Sequence, residues 1–158
     1  MENRKLNDIK KTLAHLNDKE LTEICLSLIR YKKENKELVS YLLYHKYDEP
    51  FFIEKLCADI DLMFTELDGL TTRDTRKKVR KIIRHCDKWI RFSKRKDTEI
   101  EVRIHLLKKI RTFPFSRSLS YFQETIYLRQ RKKITQSIPK VHEDLQNDYL
   151  DYLEEFGL

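Results

Sequence analysis

Apolar residues recur along most of this chain at intervals of three or four positions, the spacing that places side chains on one face of an α-helix. The pattern predicts eight helical segments. They are an N-terminal helix over 4–15, six helices between residues 17 and 137, and a C-terminal helix over 140–156. Within the second helix, the spacing predicts a buried face formed by Leu21, Ile24, Cys25 and Leu28.

Residues that cap helices mark where several segments begin. Asn17 with Glu20 three positions later has the pattern of a capping box. Asp48-Glu49-Pro50 combines a cap, an acid and an early proline, which is typical of a helix start. The predicted caps or first residues of the second to seventh helices are, in order, Asn17, Asn35, Asp48, Thr71 or Thr72, Asp97 and Arg117.

The composition excludes a sheet fold. The 158 residues include only 2 Gly and 3 Pro, against usual shares of about 7% and 5%, so tight turns between strands are scarce. We therefore expect one all-α domain over residues 1–158, with about eight mostly antiparallel helices joined by short connections.

The cysteines and the apolar runs indicate a cellular location. The chain has three cysteines, Cys25, Cys57 and Cys86. An odd number without a CxxC pair fits neither a set of disulfides nor a zinc site, so we interpret them as reduced core thiols. The longest apolar or aromatic runs have about four residues, which predicts neither a signal peptide nor a membrane partner. The expected location is cytoplasmic.

Two segments of the chain are similar to each other. Residues 25–33 align with residues 86–94, with Cys, Ile, Arg and Lys identical and an aromatic residue after the Arg in both. The likeness predicts a duplication of three helices, with repeat units 17–69 and 71–137. This arrangement resembles a short helical-repeat fold in a general way.

The net charge of +7 hides a strong segregation along the sequence. Residues 1–70 contain 11 basic and 14 acidic side chains, residues 71–138 contain 21 and 6, and residues 139–158 contain 1 and 6. A segment with a net charge of +15 therefore lies between two acidic ones.

The fifth helix shows this charge most clearly, as a ladder of Lys and Arg opposite an apolar face. Like charges one turn apart repel each other, so the ladder costs stability unless an anion binds it. Nucleic-acid phosphates are such anions, which predicts a non-enzymatic helical module that binds DNA, RNA or another polyanion through its fifth to seventh helices. The candidate binding residues are Arg73, Lys77, Arg80, Lys81, Arg84, Lys88, Arg91, Arg129, Arg131 and Lys132.

Two other interpretations of the charge stay open. In the first, the ladder is a solvated helix face that the chain's own acidic helices neutralise. In the second, it is the docking surface of an acidic protein. In the second case the chain is an interaction scaffold or a homodimer in which the acidic eighth helix binds the basic face.

The chain lacks the sequence motifs of most enzymes. Phosphate-binding loops and nucleophile elbows need closely spaced glycines, and the chain has only Gly69 and Gly157. Its five histidines form no metal-binding motif, so we expect no cofactor and no metal. However, Arg80 and His85 are separated by four residues, which resembles the active-site motif of HEPN-type ribonucleases, small all-helical proteins that usually act as dimers. The resemblance implies that Arg80 stabilises the scissile phosphate and that His85 acts as acid or base.

Overall fold

A computed structural model describes residues 4–157, and every regular element among them is helical. The all-α prediction and the number of helices are confirmed over these residues. The α-helices are α1 (Leu6–Leu13), α2 (Asp18–Tyr31), α3 (Lys33–Tyr44), α4 (Glu49–Thr65), α5 (Thr72–Ser93), α6 (Lys96–Thr112), α7 (Ser120–Ser137) and α8 (Glu143–Glu155). Short 3₁₀ turns, Arg117–Leu119 and Ile138–Lys140, precede and follow α7. None of the described helices is long and apolar enough to cross a membrane.

Three of the six predicted helix starts are capped as expected, and Arg117 begins the 3₁₀ turn that precedes α7. Asn17 Oδ1 accepts from the Glu20 backbone N–H at 3.0 Å, and Glu20 Oε2 accepts from the Asn17 backbone N–H at 3.0 Å, which completes the capping box of α2. Asp48 caps α4 and Thr71 caps α5 through their side-chain oxygens. These contacts join residues three apart, so the local sequence is enough to predict them.

Two predicted helix starts were wrong. Helix α3 begins at Lys33, and Asn35 lies inside its first turn, where its side-chain amide donates to the Leu28 carbonyl at 2.8 Å. Helix α6 begins at Lys96 after Arg95, so Asp97 is a first-turn residue that pairs with Arg95. In both cases the side chain of a residue that can cap a helix binds another group, the Leu28 carbonyl or Arg95, instead of a backbone N–H at the helix start.

The chain divides into two compact units, one up to Tyr44 and one from His45 onward. The boundary falls inside the first predicted repeat unit, so α4 groups with α5 to α8 and not with α2 and α3. The single domain and the duplication stay predictions.

In the first unit, α2 packs against α3. The predicted buried face of α2 was wrong, since Ile24 is 39% exposed, Leu28 is 52% exposed and Cys25 is exposed. Helices of 8, 14 and 12 residues offer too little apolar surface to enclose these side chains. The interpretation of Cys25 as a core thiol is therefore also wrong.

The second unit is built around α6, which packs against α4, α5 and α7. Its apolar side chains point in several directions and are almost all buried, among them Val102, Leu106, Leu107 and Ile110. A helix that is apolar on most sides needs neighbours on most sides. Helix α6 is thus the central support on which α5 and α7 lie.

Cys86 belongs to this core as predicted, whereas Cys57 is only partly buried. Burial raises the pKa of Cys86 to about 12. A thiol with so high a pKa stays protonated and unreactive near neutral pH.

Candidate functional site

Helix α5 positions its charges by the same periodicity that buries its apolar side. Val79, Ile82 and Cys86 are fully buried, whereas Arg80 and Arg84 are exposed. The basic side chains of α5 extend from Arg73 to Arg91, over about five turns. The apolar face anchors the helix, and the basic face is left for contacts outside the core.

A groove with a volume of about 680 Å³ lies between α5 and α7. Its floor includes Ile83 and Ile126, and basic side chains form both walls. None of the described residues that line it is acidic. The basic residues are Arg76, Arg80 and Arg84 from α5, and Arg129 and Lys133 from α7.

Aromatic side chains form one end of this basic groove. The guanidinium carbons of Arg76 and Arg80 lie 5.9 and 5.5 Å from the centre of the Phe122 ring. At these distances the ring attracts a cation and restrains its position. Tyr121, the neighbouring residue in α7, also lines the groove and is 82% exposed.

A buried network braces the two walls from below. Arg103 of α6 is only 3% exposed. It donates to Asp87 of α5 at 2.8 Å, to Glu99 at 3.0 Å and to Gln130 of α7 at 2.7 Å. Since Asp87 and Gln130 belong to α5 and α7, Arg103 connects both helices to α6 and helps to set the width of the groove.

Glu99 is the second anchor of this network. Burial raises the pKa of its carboxyl group, but hydrogen bonds from Lys96, Arg103 and Ser137 and the charge of Arg103 outweigh that effect, so the pKa is below the ordinary value. Glu99 therefore stays ionised at neutral pH and holds Arg103 in place.

The five cations of the groove differ in what they already bind. Arg76 donates to the Ser118 carbonyl at 3.2 Å, and Lys133 lies 3.2 Å from Asp87. In contrast, Arg80, Arg84 and Arg129 form no ion pair with any carboxylate in residues 4–157. Three guanidinium groups are thus available to an external anion.

The structure brings together only part of the predicted site. Arg80, Arg84 and Arg129 share the groove, and the other seven candidates line other surfaces. Lys77 lies 4.0 Å from Asp74, and the Lys88 ammonium lies 5.1 Å from the centre of the Trp89 ring. The remaining five, Arg73, Lys81, Arg91, Arg131 and Lys132, are exposed on α5 and α7.

Sequence reasoning missed four residues of the groove as binding candidates, namely Arg76, Tyr121, Phe122 and Lys133. The spacing of Arg76, Arg80 and Arg84 by four residues contained a signal, because such residues stack on one side of a helix. No comparable signal indicated which side of α7 faces α5.

The two residues of the HEPN-like pair have different neighbours. The Arg80 guanidinium lies over Phe122 of α7, whereas His85 Nε2 lies 3.9 Å from Asp59 Oδ2 of α4. The two side chains contact different neighbouring helices, and the ribonuclease assignment stays a prediction.

A second polar cluster lies between α4 and α6. Asp61 Oδ1 lies 2.5 Å from His105 Nε2 and 3.0 Å from Lys109 Nζ, and Cys57 is one turn earlier in α4. Burial, with the nearby charges of Asp61 and Glu101, raises the pKa of Cys57 to about 11. The thiol is therefore protonated at neutral pH and unsuited to nucleophilic catalysis. Among residues 4–157, no three His, Cys, Asp or Glu side chains are placed to hold a metal ion.

The acidic helix α8 packs away from the basic groove. Leu153 joins a core cluster with residues of α6 and α7, and Tyr149 donates to Glu101 of α6 at 3.1 Å. No described residue of α8 lines the groove. The helix therefore does not cover these cations by direct contact.

Comparison with known proteins finds no matching family, and no similar curated protein or solved structure.

Proposed function

We propose that this protein is a non-enzymatic module that binds nucleic acid or a related polyanion in the groove between α5 and α7. The observation that carries the proposal is the group of three guanidiniums, Arg80, Arg84 and Arg129, which lack a carboxylate partner in a groove without acidic lining residues.

Electrostatics supports an anionic ligand. Arg80 and Arg84 are one turn apart on α5, where like charges repel each other. The apolar floor of Ile83 and Ile126 offers no compensating charge. A phosphate between the walls relieves this repulsion, and a concave site strengthens the attraction because its walls concentrate the field.

Arginine also suits phosphate in its geometry. The planar guanidinium donates two parallel hydrogen bonds to one phosphate group, which lysine cannot do. Four of the five cations in the groove are arginines. The support from Arg103 holds the walls in position before any ligand arrives, so less ordering is required on binding.

An acidic protein segment is the second candidate ligand. Helix α8 has exposed carboxylates, including Asp148, Asp151 and Glu154, and they lie outside the groove of their own chain. A second copy of the chain offers such a helix, which forms a homodimer through opposite charges.

Fluorescence polarisation with labelled mixed-sequence DNA and RNA oligonucleotides at low salt tests the proposal. The double variant Arg80→Glu and Arg84→Glu removes two phosphate contacts. We expect its affinity to fall by roughly 60-fold or more at 50 mM salt, given an exponent of about 0.7 per contact on a single strand.

The matched control is Lys10→Glu with Lys11→Glu on α1, which changes the net charge equally at exposed positions outside the groove. We expect it to retain affinity within about threefold. An absence of binding by the wild-type chain, or an equal loss in both variants, contradicts the proposal. Sedimentation measurements test the second candidate, the homodimer. If α8 of a second copy occupies the groove, the wild-type chain is a dimer that binds no oligonucleotide, and the groove variant is a monomer.

A further inference from the structure

The dimensions of the basic groove restrict the kind of nucleic acid that reaches its floor. Its volume of about 680 Å³ lies within the roughly 300–1,000 Å³ of typical small-ligand sites. A double helix, of which the major groove alone is about 12 Å wide, is much larger than such ligands. We therefore expect a single strand to enter the groove and a duplex to contact its rims.

The arginines of α5 form a row that suits one strand. Arg76, Arg80 and Arg84 occupy successive turns and are therefore about 6 Å apart along the helix axis. Arg129 faces them from α7. A single extended backbone, with one phosphate per nucleotide, runs along such a row and meets cations on both sides.

One aromatic side chain of the groove is strongly exposed. Tyr121 lines the groove and is 82% exposed, although it is a large side chain with an apolar ring. The ring of the adjacent Phe122 already contacts the guanidiniums of Arg76 and Arg80. Aromatic rings beside a positively charged groove are the usual platform for unpaired bases, which stack on them with little sequence preference.

We infer that the groove binds single-stranded nucleic acid, with the backbone along Arg80, Arg84 and Arg129 and a base stacked on Tyr121. This inference rests on the proposed function and adds the ligand's strandedness and a stacking residue. Bases in a duplex are paired and stacked inside it, so Tyr121 reaches them only in a single strand. The two kinds of residue have different roles in this arrangement, because the arginines bind the phosphates and the ring of Tyr121 binds a base.

The test compares four probes of equal length at one salt concentration. They are a mixed-sequence single strand, the same strand annealed to its complement, a single strand with abasic sugars, and inorganic polyphosphate. We expect the single strand to bind at least about tenfold more tightly than the duplex, and the abasic strand to bind about tenfold more weakly than the normal one.

Variants of Tyr121 separate stacking from charge. Tyr121→Ala is expected to weaken single-strand binding about tenfold and to leave polyphosphate binding unchanged, whereas Tyr121→Phe retains both. Tyr47→Ala is the matched control, because Tyr47 is 86% exposed and does not line the groove. Circular dichroism confirms that each variant is folded.

The outcomes distinguish this inference from the proposed function. Equal or tighter binding of the duplex, or a Tyr121→Ala variant with unchanged affinity, overturns the inference. If Arg80→Glu with Arg84→Glu still weakens binding roughly 60-fold in that case, the proposed polyanion site stands without its single-strand preference. If none of the four probes binds, both the inference and the proposed function are wrong.

Discussion

The salt dependence of binding is the sharpest consequence of the groove's geometry. Three guanidiniums without a carboxylate partner, Arg80, Arg84 and Arg129, line the groove in which we propose that the polyanion binds. Each phosphate contact on a single strand contributes about −0.7 to the slope of log affinity against log salt, so the expected slope is about −2. Affinity should therefore fall about 20-fold between 50 and 200 mM salt.

Neutral substitutions remove first one and then two of the three contacts. Arg84→Gln should bring the slope to about −1.4, and Arg84→Gln with Arg129→Gln to about −0.7. Polarisation titrations over a salt series, with Lys10→Gln and Lys11→Gln as the matched control, measure these slopes. A slope that the groove substitutions leave unchanged, or that the control alters equally, refutes the assignment of phosphate contacts to this groove.

Two further predictions concern the framework that holds the groove. Arg103→Met removes the hydrogen bonds to Asp87, Glu99 and Gln130. It should lower the free energy of unfolding by about 3 kcal/mol, because the largely buried Glu99 loses a counter-charge and the buried Gln130 loses a hydrogen-bond donor. A loss below about 1 kcal/mol in urea denaturation would show that the network does not support the fold. Lys94 ends α5 with a left-handed backbone at φ 61°, so Lys94→Gly should raise stability by about 1 kcal/mol; an unchanged or lower midpoint of thermal unfolding argues against strain at this position.

The local order of the helices could be read from the sequence because its signals span few residues. Asn17, Asp48 and Thr71 cap the helices that they were expected to cap, since each contact reaches only three residues along the chain. Asn35 and Asp97 show the limit of such signals. Their side chains bind Leu28, seven residues earlier, and Arg95, two residues earlier, so a residue type that can cap does not by itself say which nearby partner it takes.

Burial was less predictable than helicity. The apolar spacing of α2 and α6 looks equally suited to a core, yet Leu28 is half exposed and Leu107 is fully buried. The difference lies in the neighbours, because α6 is surrounded by α4, α5 and α7. Periodicity states which side of a helix is apolar, but a side chain is buried only if another element covers it.

The candidate site, too, was only partly predictable from the sequence. The sequence by itself determined that the chain is helical and that α5 has a basic face opposite an apolar one, because both follow from residue type and helical period. Only the tertiary structure decided that Arg80, Arg84 and Arg129 share one groove with Tyr121. The physical reason is that α5 and α7 meet through α6 and the Arg103 network, and packing between helices distant in sequence sets which of their faces lie opposite each other.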